Sequence, residues 1–239
     1  MSELIDFIDV KRLRSEDFWL DILSERRFDS SVYKAIREKY KEKADKAFRI
    51  SVTRLVSCPY YSTFFSEEYG SHYYLRGKLF EEALIDYLAR ERKLEELKRQ
   101  VFLYNLIELD EVVKGYEYAI IHGFADAIAR KGNSAVIIEA KSSFGKPRII
   151  TRIAQLATYV RLYNETIGNA YGLLIAYIEE RDPPIAIRRV SVKKDLKKFV
   201  LERVKAYIRL EKNPIDKSVC DVCPIRDKCE FRTRSPYRA

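Results

Sequence analysis

Two acidic residues and a lysine are the side chains of this 239-residue sequence whose types and spacing most clearly suggest chemistry. Asp126 ends the segment GFAD, and Glu139 and Lys141 belong to the segment IEAK. Between the two segments, Gly132 and Asn133 form a pair that favours the central positions of a two-residue β-hairpin turn. Such a turn would set Asp126 directly opposite Glu139, with their Cβ atoms roughly 5 Å apart on one face. Because side chains alternate along a strand, Lys141 would emerge on the same face as Glu139.

Facing carboxylates repel each other, and a divalent cation would compensate for that repulsion. Asp126, Glu139 and the backbone carbonyl of Ala140 would offer oxygen ligands, which Mg²⁺ and Mn²⁺ prefer. The ion would polarise a phosphate group and lower the pKa of its bound water, while Lys141 would orient that water or offset transition-state charge. The pattern therefore predicts hydrolysis of phosphodiesters. The alternative is a surface hairpin that carries a Glu–Lys ion pair.

Two polar residues on the helix predicted at 147–167 could extend this site. Gln155 and Tyr159 are four residues apart, so they lie one turn apart on the same side of the helix. They could contact the scissile phosphate or form hydrogen bonds with the metal ligands. The alternative is an ordinary polar helix boundary.

All four cysteines fit a single pattern, in which Cys58 is distant and Cys220, Cys223 and Cys229 are spaced C-x2-C-x5-C. In an intracellular protein this pattern favours ligation of a metal or a cluster over disulfides. Thiolates suit both zinc and iron–sulfur clusters, so an iron–sulfur cluster, a zinc ion and disulfides or free thiols all stay open on spacing alone. Either metal would tie Cys58 to the C-terminal tail.

Composition and charge indicate the class of partner. Lys and Arg number 45 against 36 Asp and Glu, for a net charge of +9, which favours a polyanion such as nucleic acid. The longest apolar run, Ala170–Ile178, is too short to span a bilayer, and the charged N-terminus has no secretory apolar region. We therefore expect a soluble cytoplasmic protein with no membrane contact. A single Met beside abundant charged residues is typical of a thermophile.

Hydrophobic periodicity predicts an α/β fold in which a mixed central sheet is flanked by helices. We expect three parts: a helical N-terminal extension at 1–50, a core at 51–212 and a cysteine-rich segment at 213–239. The predicted elements are a helix at Leu75–Gln100, strands at Tyr116–Ile121 and Ala135–Lys141, the helix at 147–167, strands at Tyr171–Ile178 and Ile185–Val192, and a helix at Lys193–Lys212.

Together these residues resemble the RecB-like branch of the PD-(D/E)XK nucleases, and within it the CRISPR-associated Cas-four exonucleases. The resemblance covers about residues 51–232 and rests on Cys58-Pro59, Gly77–Glu81 (GKLFE), Gly123–Asp126, Glu139–Lys141, Gln155 with Tyr159, and the cysteine trio.

This resemblance implies a restriction-endonuclease-like core with a C-terminal iron–sulfur module, in which all four cysteines hold a [4Fe-4S] cluster. It also implies Mn²⁺ or Mg²⁺ dependence and cleavage of DNA, typically at single-stranded ends. The reaction would process DNA for a CRISPR array with an integrase partner, and the protein could form an oligomer. The alternatives are a RecB-like repair or recombination nuclease and a catalytically weak protein that binds DNA ends and contacts partners.

One position departs from the family pattern. Members commonly have a histidine metal ligand three residues after the motif glycine, where this sequence has Phe80. A helical wheel groups Phe80 with apolar neighbours, so we expect it in the core. Glu81, which matches the following acid of the family, would supply the missing ligand, and Glu82 is the other candidate. The two histidines of the chain, His72 and His122, are displaced from the motif position.

Overall fold

The computed structural model describes residues 34–58, 71–141, 149–177, 184–192 and 196–209, together with Cys220 and Cys229. The chain divides into two units, Met1–Asp45 and Lys46–Ala239. In the first unit, residues 34–40 are helical and a short helix α1 spans Glu42–Asp45. Arg37 forms an ion pair of 3.2 Å with Asp45 there.

The second unit contains a six-stranded sheet with helices, as predicted. Its strands are β1 (Ala47–Ser51), β2 (Glu95–Val113), β3 (Tyr116–Lys131), β4 (Ser134–Lys141), β5 (Ala170–Tyr177) and β6 (Ile185–Val190). Its helices are α2 (Val52–Leu55), α3 (Ser71–Arg92), α4 (Ile149–Thr166) and α5 (Leu196–Arg209). No helix in the described part of the chain is both long and apolar enough to cross a bilayer.

The sheet is mixed, with the order β1-β3-β4-β5-β6, and β2 pairs with β3 off this path. The β1–β3 and β4–β5 pairs are parallel, whereas the other pairs are antiparallel. Since β2 pairs along Tyr116–Arg130 of β3, strands β1 and β4 must share the opposite edge of β3. Strand β1 occupies Tyr118–His122 there, and β4 occupies Ala127–Lys131. The segment Gly123–Asp126 therefore lies in a gap between these two partners.

The sheet is buried on both faces. Ile137 of β4 belongs to the same core as Leu156 and Val160 of α4. The neighbouring Ile138 points the other way and packs in a second core with α3, which contributes Leu88. A strand that is covered on both faces reads as a continuous apolar run, and β4 has that sequence. Burying each such aliphatic side chain stabilises the fold by about 1.5–3 kcal/mol.

Two predicted boundaries are wrong. Residues 47–50, which we expected to be helical, form most of β1, because Ile50 is buried in the sheet core beside β3. The helix predicted to reach Gln100 ends at Arg92, and Glu95–Gln100 begins β2 instead. The residues of this segment, EELKRQ, favour a helix locally, so the pairing of β2 with β3 overrides their propensity.

The core position predicted for Phe80 is also wrong, since 39% of this residue is exposed. The buried side of α3 carries Leu84, Ile85 and Leu88, whereas Leu79, which we placed on the apolar side, is 55% exposed. The helix has more apolar residues than one face can bury. Packing against β4 and β5 selects the stripe that begins at Leu84.

Candidate active site

The predicted hairpin is present and carries the two acids. Lys131 pairs with Ser134, and Gly132 between them has a φ of 57°, a conformation that glycine adopts without strain. The pairing stays in register to Ala127 and Ile138. Asp126 and Glu139 are the next residues on their strands, as the turn predicts.

Asp126 lies at the point where the ladder between β3 and β4 ends. Its Oδ2 accepts a hydrogen bond of 3.0 Å from the backbone amide of Ala140, so a side chain occupies the place of a main-chain partner. On the edge of β3 that faces β2, the residues on either side of Asp126 are paired, but Asp126 itself is not. Gln100, which lies opposite Asp126 on β2, has a φ of 48°. Positive φ is uncommon for a residue other than glycine, and such residues concentrate near functional sites.

Glu139 is completely buried, and in the described part of the chain its one ion-pair partner is Lys141, whose Nζ lies 2.5 Å from Oε1. No other donor there forms a hydrogen bond with its carboxylate oxygens. Burial and the nearby charge of Asp126 raise the pKa of Glu139 to about 7, against the opposing effect of Lys141. This carboxylate therefore has fewer donors than a buried charge normally receives.

Two lysines hold the acids together. The Nζ of Lys141 is also 3.6 Å from Asp126 Oδ2, and Lys78 Nζ is 3.4 Å from Asp126 Oδ1. Burial lowers the pKa of Lys141, but Glu139, Asp126 and Glu81 outweigh that effect and raise it. Lys141 is therefore a cation at neutral pH.

Sequence reasoning missed Lys78, although it lies within the motif GKLFE. Its Nζ is 3.2 Å from Glu81 Oε2, three residues further along α3, as well as close to Asp126. The spacing to Glu81 is a detectable signal because residues three apart are neighbours on a helix. The contact with Asp126, 48 positions away, leaves no local signal.

The two candidates for the missing ligand point to different places. Among the described residues, Glu81 contacts the site through Lys78, and its charge also helps to raise the pKa of Lys141. Glu82 forms an ion pair of 2.6 Å with Arg99 on β2, and Asp86 pairs with the same arginine. Of these two glutamates, Glu81 is therefore the one that faces the site.

Histidine does not complete a ligand set in the described residues. His122 lies on β3 with its ring 6.1 Å from that of Phe102. The side chain of His72 lies outside the described part. Across the described ranges, no three His, Cys, Asp or Glu side chains are grouped closely enough to hold a metal ion.

Tyr159 and Gln155 are brought to the site from α4. The pKa of Tyr159 is raised by burial and by the charges of Glu139 and Asp126, while hydrogen bonds with Gln155 and Thr53 act in the opposite direction. The phenol is therefore protonated. It is also buried against Gly123, where an added Cβ would lie 2.7 Å from the hydroxyl. Tyr159 lies behind the acids rather than open to a phosphate, and Thr53 was not predicted.

A divalent metal suits the donors at this site. Two adjacent carboxylates, one of them fully buried, lie with Glu81 around the two lysines, so the acids of the site outnumber its cations. The ammonium group of Lys141 contacts both. Hard cations bind such oxygen donors, and Ala140 lies between the acid and the lysine of this strand. The role of its carbonyl as a ligand stays a prediction.

The cysteine site is described only in part. Cys58, Cys220 and Cys229 are half-buried and not in disulfides, and Cys223 lies outside the described residues. The described thiols form no metal-binding group. The segment before Cys58 is fixed by Arg203 of α5, which is 2% exposed and donates to the carbonyl oxygens of Leu55, at 2.9 Å, and of Ser57.

Comparisons with known proteins identify a family. The sequence profile of the PD-(D/E)XK nuclease superfamily matches residues 23–230. The search of curated protein sequences found no match. The fold is similar to the crystal structure of SSO0001, with a TM-score of 0.60 and 21% identity over 86% of this chain and 100% of that one. An alkaline exonuclease from Laribacter hongkongensis aligns with a TM-score of 0.43 and 12% identity over 70% of this chain and 89% of that one.

Proposed function

This chain belongs to the PD-(D/E)XK nuclease superfamily, and on that premise we propose that it is a metal-dependent deoxyribonuclease that degrades DNA from single-stranded ends. Members of this superfamily use divalent metals such as Mg²⁺ or Mn²⁺. The proposed catalytic residues are Asp126, Glu139 and Lys141. Gln155 and Tyr159 position them.

The observation that carries this proposal is the fully buried carboxylate of Glu139 beside Asp126, with Lys141 as its one ion-pair partner in the described chain. A structural role would surround such a carboxylate with further hydrogen-bond donors, because a poorly compensated buried charge costs several kcal/mol. A site that binds a cation tolerates this arrangement, because the ion provides the missing interaction when it is bound.

The site residues would have two roles, metal binding and charge stabilisation. Asp126, Glu139 and the Ala140 carbonyl would hold Mg²⁺ or Mn²⁺, which activates water and stabilises charge on the phosphate when bound. Lys141, a cation within reach of both acids, would donate to the attacking water or to a phosphate oxygen.

The remaining polar groups keep this arrangement fixed. The amide of Ala140 holds Oδ2 of Asp126 toward β4, and Lys78 approaches Oδ1 from α3. The protonated Tyr159 supports the strand at Gly123, with Gln155 and Thr53 as its hydrogen-bond partners. Such support matters because small displacements of catalytic groups are costly.

The direct test is cleavage of end-labelled single-stranded DNA with Mn²⁺, Mg²⁺ or EDTA. We expect cleavage with either metal and none with EDTA, and loss of cleavage in Asp126→Asn and Glu139→Gln. Glu108→Gln is a matched control, because Glu108 is an exposed strand residue. Metal-independent cleavage, or wild-type activity in either site variant, would contradict the proposal. RNA of the same sequence tests the choice of DNA.

A second part of the proposal is a structural [4Fe-4S] cluster on Cys58, Cys220, Cys223 and Cys229. It is supported by the cysteine pattern and by the three described thiols that form no disulfide. Protein purified without oxygen should contain about four iron and four sulfide per chain. Stoichiometric zinc without iron would contradict the cluster and leave the nuclease proposal intact.

A third part assigns the reaction to the processing of DNA for a CRISPR array, in contact with an integrase. It is supported by the family resemblance, including the four cysteines. Purification of this protein from its own cells tests it: the integrase should co-purify, and the partners of a repair nuclease should not. The opposite result would favour a RecB-like repair or recombination enzyme.

A catalytically weak protein that binds DNA ends is the second candidate. The specific observation in its favour is Phe80, an exposed apolar residue at the position where the family commonly has a ligand. In that case the wild type would cleave no faster than Asp126→Asn, yet both would bind DNA ends.

A further inference from the structure

An exposed aromatic pair lies on the α3 side of the sheet. The ring of Phe80 meets the ring of Tyr177 edge-on, with centroids 5.1 Å apart and planes at 77°. Phe80 is 39% exposed and Tyr177 is half-buried. The pair gives Phe80 a fixed orientation while leaving part of its surface to solvent.

Phe80 and Lys78 of α3 reach different strands of the sheet. Neighbouring positions on a helix point in different directions, so Lys78 contacts Asp126 on β3 whereas Phe80 meets Tyr177 on β5. Strand β4 lies between β3 and β5, so the two contacts are about two strand spacings apart, roughly 10 Å.

Tyr177 reaches the same region from a different element. It directly follows Ala176, which pairs with Lys141 across the parallel β4–β5 ladder. Alternation places Tyr177 with Leu173 and Ile175, on the face that packs against α3. By the same alternation Lys141 lies with Ile137 on the face of α4, so the rings mark the end of β5 on the face from which Lys78 reaches Asp126.

We propose that Phe80, supported by Tyr177, stacks against an unpaired base of the DNA strand whose phosphate enters the site at Asp126 from the side of α3. This inference rests on the proposed function and assigns a residue that recognises its single-stranded substrate. Every base has a face that stacks on an aromatic ring, whereas the bases inside a duplex are already stacked on each other. The net charge of +9 supplies long-range attraction for the phosphates.

Equilibrium binding tests the proposal separately from cleavage. In EDTA, a fluorescent oligothymidylate should bind wild-type protein, and Phe80→Ala should weaken binding about 5- to 100-fold, as expected for loss of one stacked base. Phe80→Trp should restore binding. Leu79→Ala is the matched control, because Leu79 is exposed on the same helix and has no aromatic partner in the described chain. It should stay within about twofold of wild type, and thermal unfolding should show that every variant is folded.

Abasic substitution shows whether a base is what Phe80 contacts. One abasic position in the oligomer should weaken wild-type binding as much as Phe80→Ala does, and it should add no loss in that variant. Equal binding by Phe80→Ala and wild type would overturn the proposal. Additive losses of binding from Phe80→Ala and from the abasic position would also overturn it. A wild type that binds a blunt duplex as tightly as the oligomer would also overturn it. Metal-dependent cleavage with normal binding by Phe80→Ala would refute the stacking site alone, whereas absence of cleavage would refute the proposed function.

Discussion

Replacement of Glu139 by Gln should make the metal-free protein more stable at alkaline pH while abolishing cleavage. The pKa of Glu139 is raised from 4.5 to about 7, chiefly by burial and then by Asp126. The folded protein therefore holds this proton more tightly than the unfolded chain does. Stability from this group is fully present below pH 4.5 and is lost as pH rises through about 7. Glutamine cannot ionise, so the variant avoids that loss.

The magnitude follows from the two pKa values. Each unit between 4.5 and about 7 corresponds to about 1.4 kcal/mol, so the full effect on the free energy of unfolding is on the order of 3 kcal/mol. Between pH 5 and pH 8 the advantage of Glu139→Gln over wild type should grow by about 2–3 kcal/mol. The attraction of Lys141 for ionised Glu139 is already included in the pKa of about 7, so loss of this ion pair adds no separate pH dependence.

Urea unfolding of both proteins at pH 5 and pH 8 in EDTA measures this difference in the free energy of unfolding. Comparing the variant with wild type cancels the contribution of the other titrating groups. Glu108→Gln, at an exposed strand position, should show no such pH-dependent gain. A gap between Glu139→Gln and wild type that is unchanged between pH 5 and pH 8 would refute the reasoning. So would a gap that shrinks as pH rises.

The other predictions concern residues around this carboxylate. Lys141→Ala should lower cleavage of end-labelled single-stranded DNA by on the order of 100-fold with the fold retained, and near-normal cleavage would exclude Lys141 as a catalytic group. Glu81→Ala should reduce cleavage and raise the Mn²⁺ concentration needed, whereas Glu82→Ala should lower thermal stability with little effect on cleavage; the reverse result would move the site one residue along α3. Gly123→Ala should reduce cleavage because its Cβ would meet the Tyr159 hydroxyl at 2.7 Å. Removing that hydroxyl with Tyr159→Phe should recover part of the activity, and no recovery would argue against this contact.

The hairpin and its acids could be predicted because a two-residue turn fixes register. Once Gly132 and Asn133 occupy the turn, every cross-strand neighbour follows, and a slip of one residue would exchange the side chains that face the two cores. The position of Asp126 opposite Glu139 is therefore determined by local sequence. Their surroundings are not, since Lys78 and Thr53 come from distant segments that leave no pattern near the acids.

The phase of α3 and the start of β2 could not be predicted for a related reason. Phe80, Leu84 and Leu88 are four residues apart and form one apolar stripe, whereas Leu79 belongs to another stripe, which stays exposed. Only contact with the sheet decides between them. Whether a charged segment such as Glu95–Gln100 forms a strand likewise depends on a partner strand, here β3.

The buried arginine of α5 also constrains the order of events during synthesis. The carbonyl groups of Leu55 and Ser57 receive their hydrogen bonds from Arg203, about 150 positions later in the chain. While the ribosome is still making the intervening sheet, the backbone next to Cys58 has no arginine to hold it. Because chains emerge N-terminal end first, the carbonyl groups before Cys58 receive these donors only after α5 has been made. Any cofactor that Cys58 shares with Cys220, Cys223 and Cys229 would therefore be loaded only after the sheet and α5 have been made.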